Sequence, residues 1–92
     1  MVNARAHVFV SGQVQGVFFR QSIREKARIS GVTGWVRNLP DGRVEAVFEG
    51  EQNAVNLLIG YCRKGPVGAM IMDVDVKFEK FAGEFKNFKI VY

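Results

Sequence analysis

Two side chains in this sequence could do chemistry together, Arg20 and Asn38. Arg20 closes the stretch GQVQGVFFR, residues 12–20, where an alternating apolar run gives way to a helical pattern. The positive end of a helix dipole repels a cation placed there, by about 0.3–1 kcal/mol for a partly exposed charge. An anion at the same place removes the conflict. The backbone N–H groups of Gln15, Gly16, Val17, Phe18, Phe19 and Arg20 can converge on one point if Gly16 takes a positive φ, and the start of a helix adds free donors of its own. The Arg20 guanidinium then offers a planar fork that matches phosphate oxygens. Taken alone, the loop reads more simply as a strand-to-helix turn carrying a solvated arginine, because short motifs match by chance.

Asn38 shares strand parity with Val32, Gly34 and Val36, which points it to the helix-covered face. By itself, an asparagine before a turn reads more simply as satisfying the turn's backbone groups. Other polar candidates are weaker. His7 alternates with Ala6 and Val8 and is expected on the open sheet face, solvated and without a carboxylate partner. Cys62 lies on an apolar helix face and reads as packing; Asp73 and Asp75 read as surface charges, and Trp35 as core. No GxxxxGK[ST] or GxGxxG loop is present, and GQVQG matches GxxxG outside any apolar helix. A single cysteine and the lack of paired Cys/His spacing suggest neither a disulfide nor zinc, so no metal or cofactor is expected.

The elements that must position these residues follow from periodicity. AHVFVSG alternates as a half-buried strand. Residues 19–30 place Phe19, Ile23, Ala27 and Ser30 on one helical stripe, with Gly31 as a stop. VTGWVRNL and RVEAVFEG are strands joined by a tight turn in which Pro40 and Gly42 supply the special torsions. Residues 51–64 form a second helix, and MIMDVDVKF a strand with Met70, Met72, Val74, Val76 and Phe78 on one face. FKNFKIVY adds a short edge strand. The order βαββαβ is the ferredoxin-like α+β sandwich, a mixed, mostly antiparallel sheet with both helices on one face. A right-handed crossover makes the first two strands parallel with the third between them, so their C-terminal ends share one sheet edge. The loop at 15–20 and Asn38 then meet.

The 92 residues suit a single domain, and 48% apolar with 24% charged residues is ordinary for a soluble globular protein. The formal charge of +4 suggests an anionic partner without choosing one. MVNARAHVFV lacks the apolar core of a secretory signal, and no segment reaches membrane-spanning length. A cytoplasmic protein with no membrane partner is expected.

Together, GQVQGVFFR and GWVRNLPDGRVEAVFEG resemble the two signature motifs of the acylphosphatase family, in order and at the right spacing. Matching positions are Gly12, Val14 to Val17, Phe19 and Arg20, then Gly34, Trp35, Arg37, Asn38, Gly42, Val44 and Gly50. Family members often have arginine where Gln13 stands and a small residue where Phe18 stands; Phe18 is expected to shape the site mouth. The resemblance implies an acylphosphatase, hydrolysing carboxyl-phosphate anhydrides to a carboxylate and inorganic phosphate without a metal. It implies that Arg20 and the 15–20 backbone bind phosphate and that Asn38 positions the attacking water. A small-molecule acyl phosphate is then the substrate, inorganic phosphate both product and inhibitor, and the protein is expected to be a monomer. A leaving carboxylate with an intrinsic pKa of roughly 4 needs no general acid. Two rivals share the element order. One is an RNA-recognition domain, since VFVSG sets Phe9 on the open face, but Glu45 and Glu49 replace the stacking aromatics such a domain needs, so no nucleic-acid partner is expected. The other is a non-catalytic module of the same family.

Overall fold

Strict alternation decides how the sheet faces. In β1 (Asn3–Gln13), Ala6, Val8 and Val10 are fully buried, while His7 and Phe9 on the other face are half-exposed. The computed structural model, which describes residues 2–92, continues with α1 (Phe19–Ser30), β2 (Thr33–Asn38), β3 (Val44–Glu51), α2 (Gln52–Lys64), β4 (Met70–Glu79) and β5 (Phe88–Ile90). The strand order is β4-β1-β3-β2-β5; every pairing is antiparallel except β2 with β5. This is the predicted ferredoxin-like arrangement.

The core lies between the sheet and the two helices. Phe19, Ile23 and Ala27 of α1 and Val55, Leu58, Ile59 and Cys62 of α2 pack on Val8, Val10, Val36, Ala46 and Phe48. Phe88 joins them with its ring centroid 5.8 Å from that of Phe48. Each fully buried aliphatic or aromatic side chain contributes about 1.5–3 kcal/mol. Gly31 ends α1 as predicted, with φ at 72°. Glu51 caps α2 by accepting the Ala54 N–H at 3.3 Å.

The structure corrects the expected face of β4. Val74 and Val76 pack on the core, but so does Ile71, whereas Met70, Met72 and Phe78 are exposed. Phe78, opposite Ala6, keeps the expected parity but is exposed near the end of β4, an edge strand. For Met70, Ile71 and Met72 the cause is a register shift between Ser11 and Gly12: Ser11 pairs with Asp73 but Gly12 with Ile71, which reverses parity beyond the bulge. Gly12 is required there. Its φ is 128°, and a Cβ would lie 2.0 Å from the Met70 carbonyl oxygen.

After β4 the chain leaves one sheet edge and must reach β5 at the other. It does so as a strap, residues 80–87, tied to the outer sheet face by Glu49. The Glu49 carboxylate is 1% exposed and accepts the N–H groups of Ala82 (2.8 Å), Gly83 and Glu84 (3.3 Å each), and Arg5 Nη1 at 3.3 Å. Burial alone would raise this carboxyl. The Ala82 N–H, the Arg5 guanidinium and the Gly83 and Glu84 N–H groups more than reverse that, holding it below the usual range. The strap delivers β5 to β2, with Ile90 beside Val36 and the Val91 N–H on the Val36 carbonyl at 2.9 Å.

Because the folded-state pKa of Glu49 is depressed, its contribution is complete above the unfolded carboxylate value of about 4.3 and fades as pH falls through the folded value. Glu49→Gln should therefore lose about 2 kcal/mol at neutral pH, on the order of 10 °C in Tm for a domain of this size. The gap should begin to narrow below about pH 4 and close only as the pH falls past the depressed folded value. Parallel thermal scans across pH check this; a gap independent of pH would mean the carboxylate's charge does not hold the strap.

Candidate active site

Between β1 and α1 the backbone changes hand twice. Gly16 has φ at 76° and Phe18 at 59°, with negative values at Gln15, Val17 and Phe19. Such alternation turns successive N–H groups toward the inside of a curve, a concavity suited to an anion. Gly16 behaves as its sequence predicts. Phe18 does not: it is the single non-glycine residue with positive φ among the described residues, a conformation that costs about 1–2 kcal/mol when a Cβ is present. Phe18 also occupies the N-cap position of α1, provides no side-chain cap, and is followed by a first turn without an acid. The N–H groups of Gln15 through Arg20 have no acceptor among the described residues.

Arg20 lies half-buried in this first turn. Its guanidinium makes neither an ion pair nor a hydrogen bond among the described residues, and its Cζ stands 5.3 Å from the centre of the Tyr92 ring. A cation on uncapped N–H groups, with no counter-ion, concentrates positive potential at one spot.

Asn38 reaches the same spot from β2. Val10 pairs with Val44 and Val44 with Asn38, so the three form one rung across the sheet, about 10 Å from end to end. The Asn38 side chain does not satisfy the turn. There the Leu39 N–H donates to Arg43 O (2.8 Å), the Gly42 N–H to Leu39 O (3.1 Å) and the Arg43 N–H to Asp41 (3.1 Å). The amide that does serve the turn is Gln15, whose Nε2 donates to Leu39 O at 2.8 Å and Arg43 O at 2.9 Å. Asn38 Oδ1 is buried with no partner among the described residues.

A cavity of about 240 Å³ opens at this junction, and Gly16, Phe18, Phe19, Arg20 and Asn38 line it together with Ile90 and Tyr92. Gln15 and Val17 do not. Gln15 turns its side chain to the β2–β3 hairpin, and Val17 packs against the core. Ile90 and Tyr92 escape a sequence reading because they enter through the parallel β2–β5 pairing, which only the strap makes possible. The Gln15 clamp has no local sequence signal either.

Two other expectations need correction. His7 is not a solvated residue without carboxylates: its Nε2 lies 2.6 Å from Glu45 and its Nδ1 3.2 Å from Glu79, with its ring stacked on Phe9 at 4.8 Å. Glu45 also accepts Arg37 Nε at 2.7 Å. Burial raises the Glu45 carboxyl, but the His7 and Arg37 contacts prevail and hold it below its ordinary value. Glu45 and Glu49 are thus buried under partners rather than displayed on an open platform. Trp35 is not core. Its parity opposes Gly34 and Val36, so it sits half-buried on the outer face beneath Arg37, away from the cavity. Cys62 is a packing residue as expected, and burial pushes its thiol up to about 12.

Comparison with known proteins bears on the chain as a whole. A family model described as Acylphosphatase matches residues 6–90. A protein of Roseiflexus sp. named Acylphosphatase is 58% identical over 97% of this chain and 96% of its own length, and one of Pyrobaculum aerophilum is 55% identical over 99% and 97%. Among solved structures, an acylphosphatase from Coxiella burnetii superposes with a TM-score of 0.91 at 38% identity, covering 97% of this chain and 93% of that one. A glycine-turned loop, an arginine unpaired among the described residues and a strand-end asparagine stand together on a chain of which the family model matches residues 6–90. This chain belongs to the acylphosphatase family of enzymes.

Proposed function

We propose that this chain hydrolyses acyl phosphates, binding the phosphoryl group with Arg20 and the 15–20 backbone and the attacking water with Asn38. The observation that carries this reading is the Asn38 Oδ1 atom, buried and without a partner among the described residues, on a side chain that lines the same cavity as Arg20, which is itself unpaired among them. A buried polar atom without a partner costs about 1–3 kcal/mol, and a bound water removes that penalty.

The phosphoryl oxygens accept hydrogen bonds from the converging N–H groups and from the Arg20 guanidinium, whose fork is fixed in plane. Asn38 Oδ1 accepts one hydrogen of the water and thereby aims an oxygen lone pair at phosphorus. A P–O bond forms from the water as the P–O bond to the acyl oxygen breaks, in line. The carboxylate leaves with the bonding pair. It is a weak base of pKa roughly 4, so no general acid assists it. The proton lost by the water passes to a phosphoryl oxygen, giving inorganic phosphate and a carboxylate. Charge stabilisation and positioning suffice for such a transition state, and the reading requires no metal.

Three outcomes are expected. Steady-state hydrolysis of acetyl phosphate should persist in excess EDTA; activity that disappears and returns with Mg²⁺ would make the reaction metal-dependent. Arg20→Lys keeps a charge but loses the two-pronged contact, so inorganic phosphate should inhibit at least about tenfold more weakly. Phosphate affinity close to that of the parent would leave Arg20 a bystander.

Asn38→Ala separates binding from chemistry. Its kcat should fall on the order of a hundredfold, the scale of a misplaced nucleophile. Phosphate should still raise its Tm, by an increment worth about 2.7 kcal/mol at a hundred times Kd. Thermal shift and kinetics on one sample test both halves, and loss of the phosphate-dependent shift would place Asn38 in the binding cradle instead.

A further inference from the structure

The phosphoryl half of the cavity is polar, but its mouth is not. Phe18 is 75% exposed and Tyr92 99% exposed, and both line the cavity that holds Arg20 and Asn38, with Ile90 half-buried beside them. The anion cradle accounts for a positive φ at position 18, and glycine would supply it without strain. It does not account for a phenyl ring there. That ring is neither core nor cap: Phe18 belongs to no buried cluster and its side chain makes no cap hydrogen bond. A strained backbone thus holds an aromatic ring in solvent at the rim of the site. The strap and the β2–β5 pairing bring a second ring, Tyr92, to the same rim, where its face is set against the Arg20 guanidinium. In an acyl phosphate the carbonyl carbon is one oxygen away from phosphorus, so an acyl group bound here lies at this rim once the phosphoryl group is seated.

We propose that Phe18 and Tyr92, with Ile90, form an acyl-group subsite that selects substrates with a flat aromatic acyl group over short aliphatic ones. This rests on the acyl phosphate reading of the same cavity. Aromatic rings stack offset or edge-to-face on one another, whereas an acetyl group offers no ring and little area. Ring contacts of this kind favour the aromatic substrate on the order of tenfold in kcat/KM.

The test compares kcat/KM for benzoyl phosphate with that for acetyl phosphate in the parent, Phe18→Gly, Tyr92→Leu and the double variant. The intrinsic reactivities of the two anhydrides are the same for every variant, and the ratio divides out any effect on the shared phosphoryl end. Glycine relieves the left-handed backbone, and Tyr92 is so exposed that its replacement leaves the core untouched; phosphate-dependent thermal shifts verify that each variant is folded. The benzoyl-to-acetyl ratio should fall several-fold in each single variant and about tenfold or more in the double. Ratios equal to the parent's, with both substrates affected alike, would overturn the proposal and leave Tyr92 only a partner of Arg20. A folded, phosphate-binding parent that hydrolyses neither substrate would overturn the acyl phosphate reading itself, and the subsite with it.

Discussion

A helix that begins with a cation and no cap is the constraint around which this molecule is arranged. The first turn of α1 leaves its N–H groups without acceptors, contains no acid, and holds the half-buried Arg20 with no counter-ion among the described residues. The dipole term opposes Arg20 by about 0.3–1 kcal/mol, and the left-handed Phe18 adds about 1–2 kcal/mol. α1 survives this because its stability comes from elsewhere. Phe19, Ile23 and Ala27 are almost wholly buried against the sheet, and Gly31 closes the far end with its N–H turned back onto the last turn. Burial of a stripe like this exceeds a missing cap of about 1 kcal/mol several times over.

Holding that charged end in a defined place takes four separate pieces of chain. β1 ends there, α1 starts there, β2 stops there at Asn38, and β5 runs toward it parallel to β2. The sheet sets the first three through the rung of Val10, Val44 and Asn38. The fourth depends on the opposite end of the outer face, where Glu49 gathers three strap N–H groups and Arg5. A buried carboxylate far from the cavity thereby decides where Ile90 and Tyr92 arrive.

Short-range patterns made much of this legible in the sequence. Alternation in AHVFVSG, the i+4 stripe of α1, Pro40 and Gly42 in the hairpin and Gly31 after the helix each express a local rule, and the right-handed crossover then brings Arg20 near Asn38. What escaped is non-local or cumulative. A single bulge at Gly12 reverses the faces of Met70, Ile71 and Met72, because parity carries no memory across an inserted residue. His7 meets Glu45 and Glu79 only through pairing with β3 and β4. For Trp35, apolar bulk points to the core while parity with Gly34 and Val36 points to the outer face, and parity prevails. The left-handed Phe18 has no sequence signature at all, since phenylalanine rarely takes that conformation.

Two amides at this junction have opposite fates, and the difference explains why one is available. An asparagine beside a turn ordinarily bonds the turn's backbone, its side-chain oxygen accepting an N–H or its amide donating to a carbonyl. Here Gln15 reaches across from the cradle and donates to both Leu39 O and Arg43 O. This does two things at once. It ties the anion loop to the hairpin that carries Asn38, so their separation is fixed by hydrogen bonds as well as by the sheet. It also leaves the turn's carbonyls no call on the Asn38 amide hydrogens, while the Leu39, Gly42 and Arg43 N–H groups already find Arg43 O, Leu39 O and Asp41, so Asn38 Oδ1 is left buried and without a partner among the described residues on a side chain that lines the cavity. Left so, that atom costs the free protein on the order of 1–3 kcal/mol, a deficit that a correctly placed hydrogen-bond donor removes. On the proposed reading that donor is the attacking water, and the satisfied turn is what keeps Asn38 free to receive it.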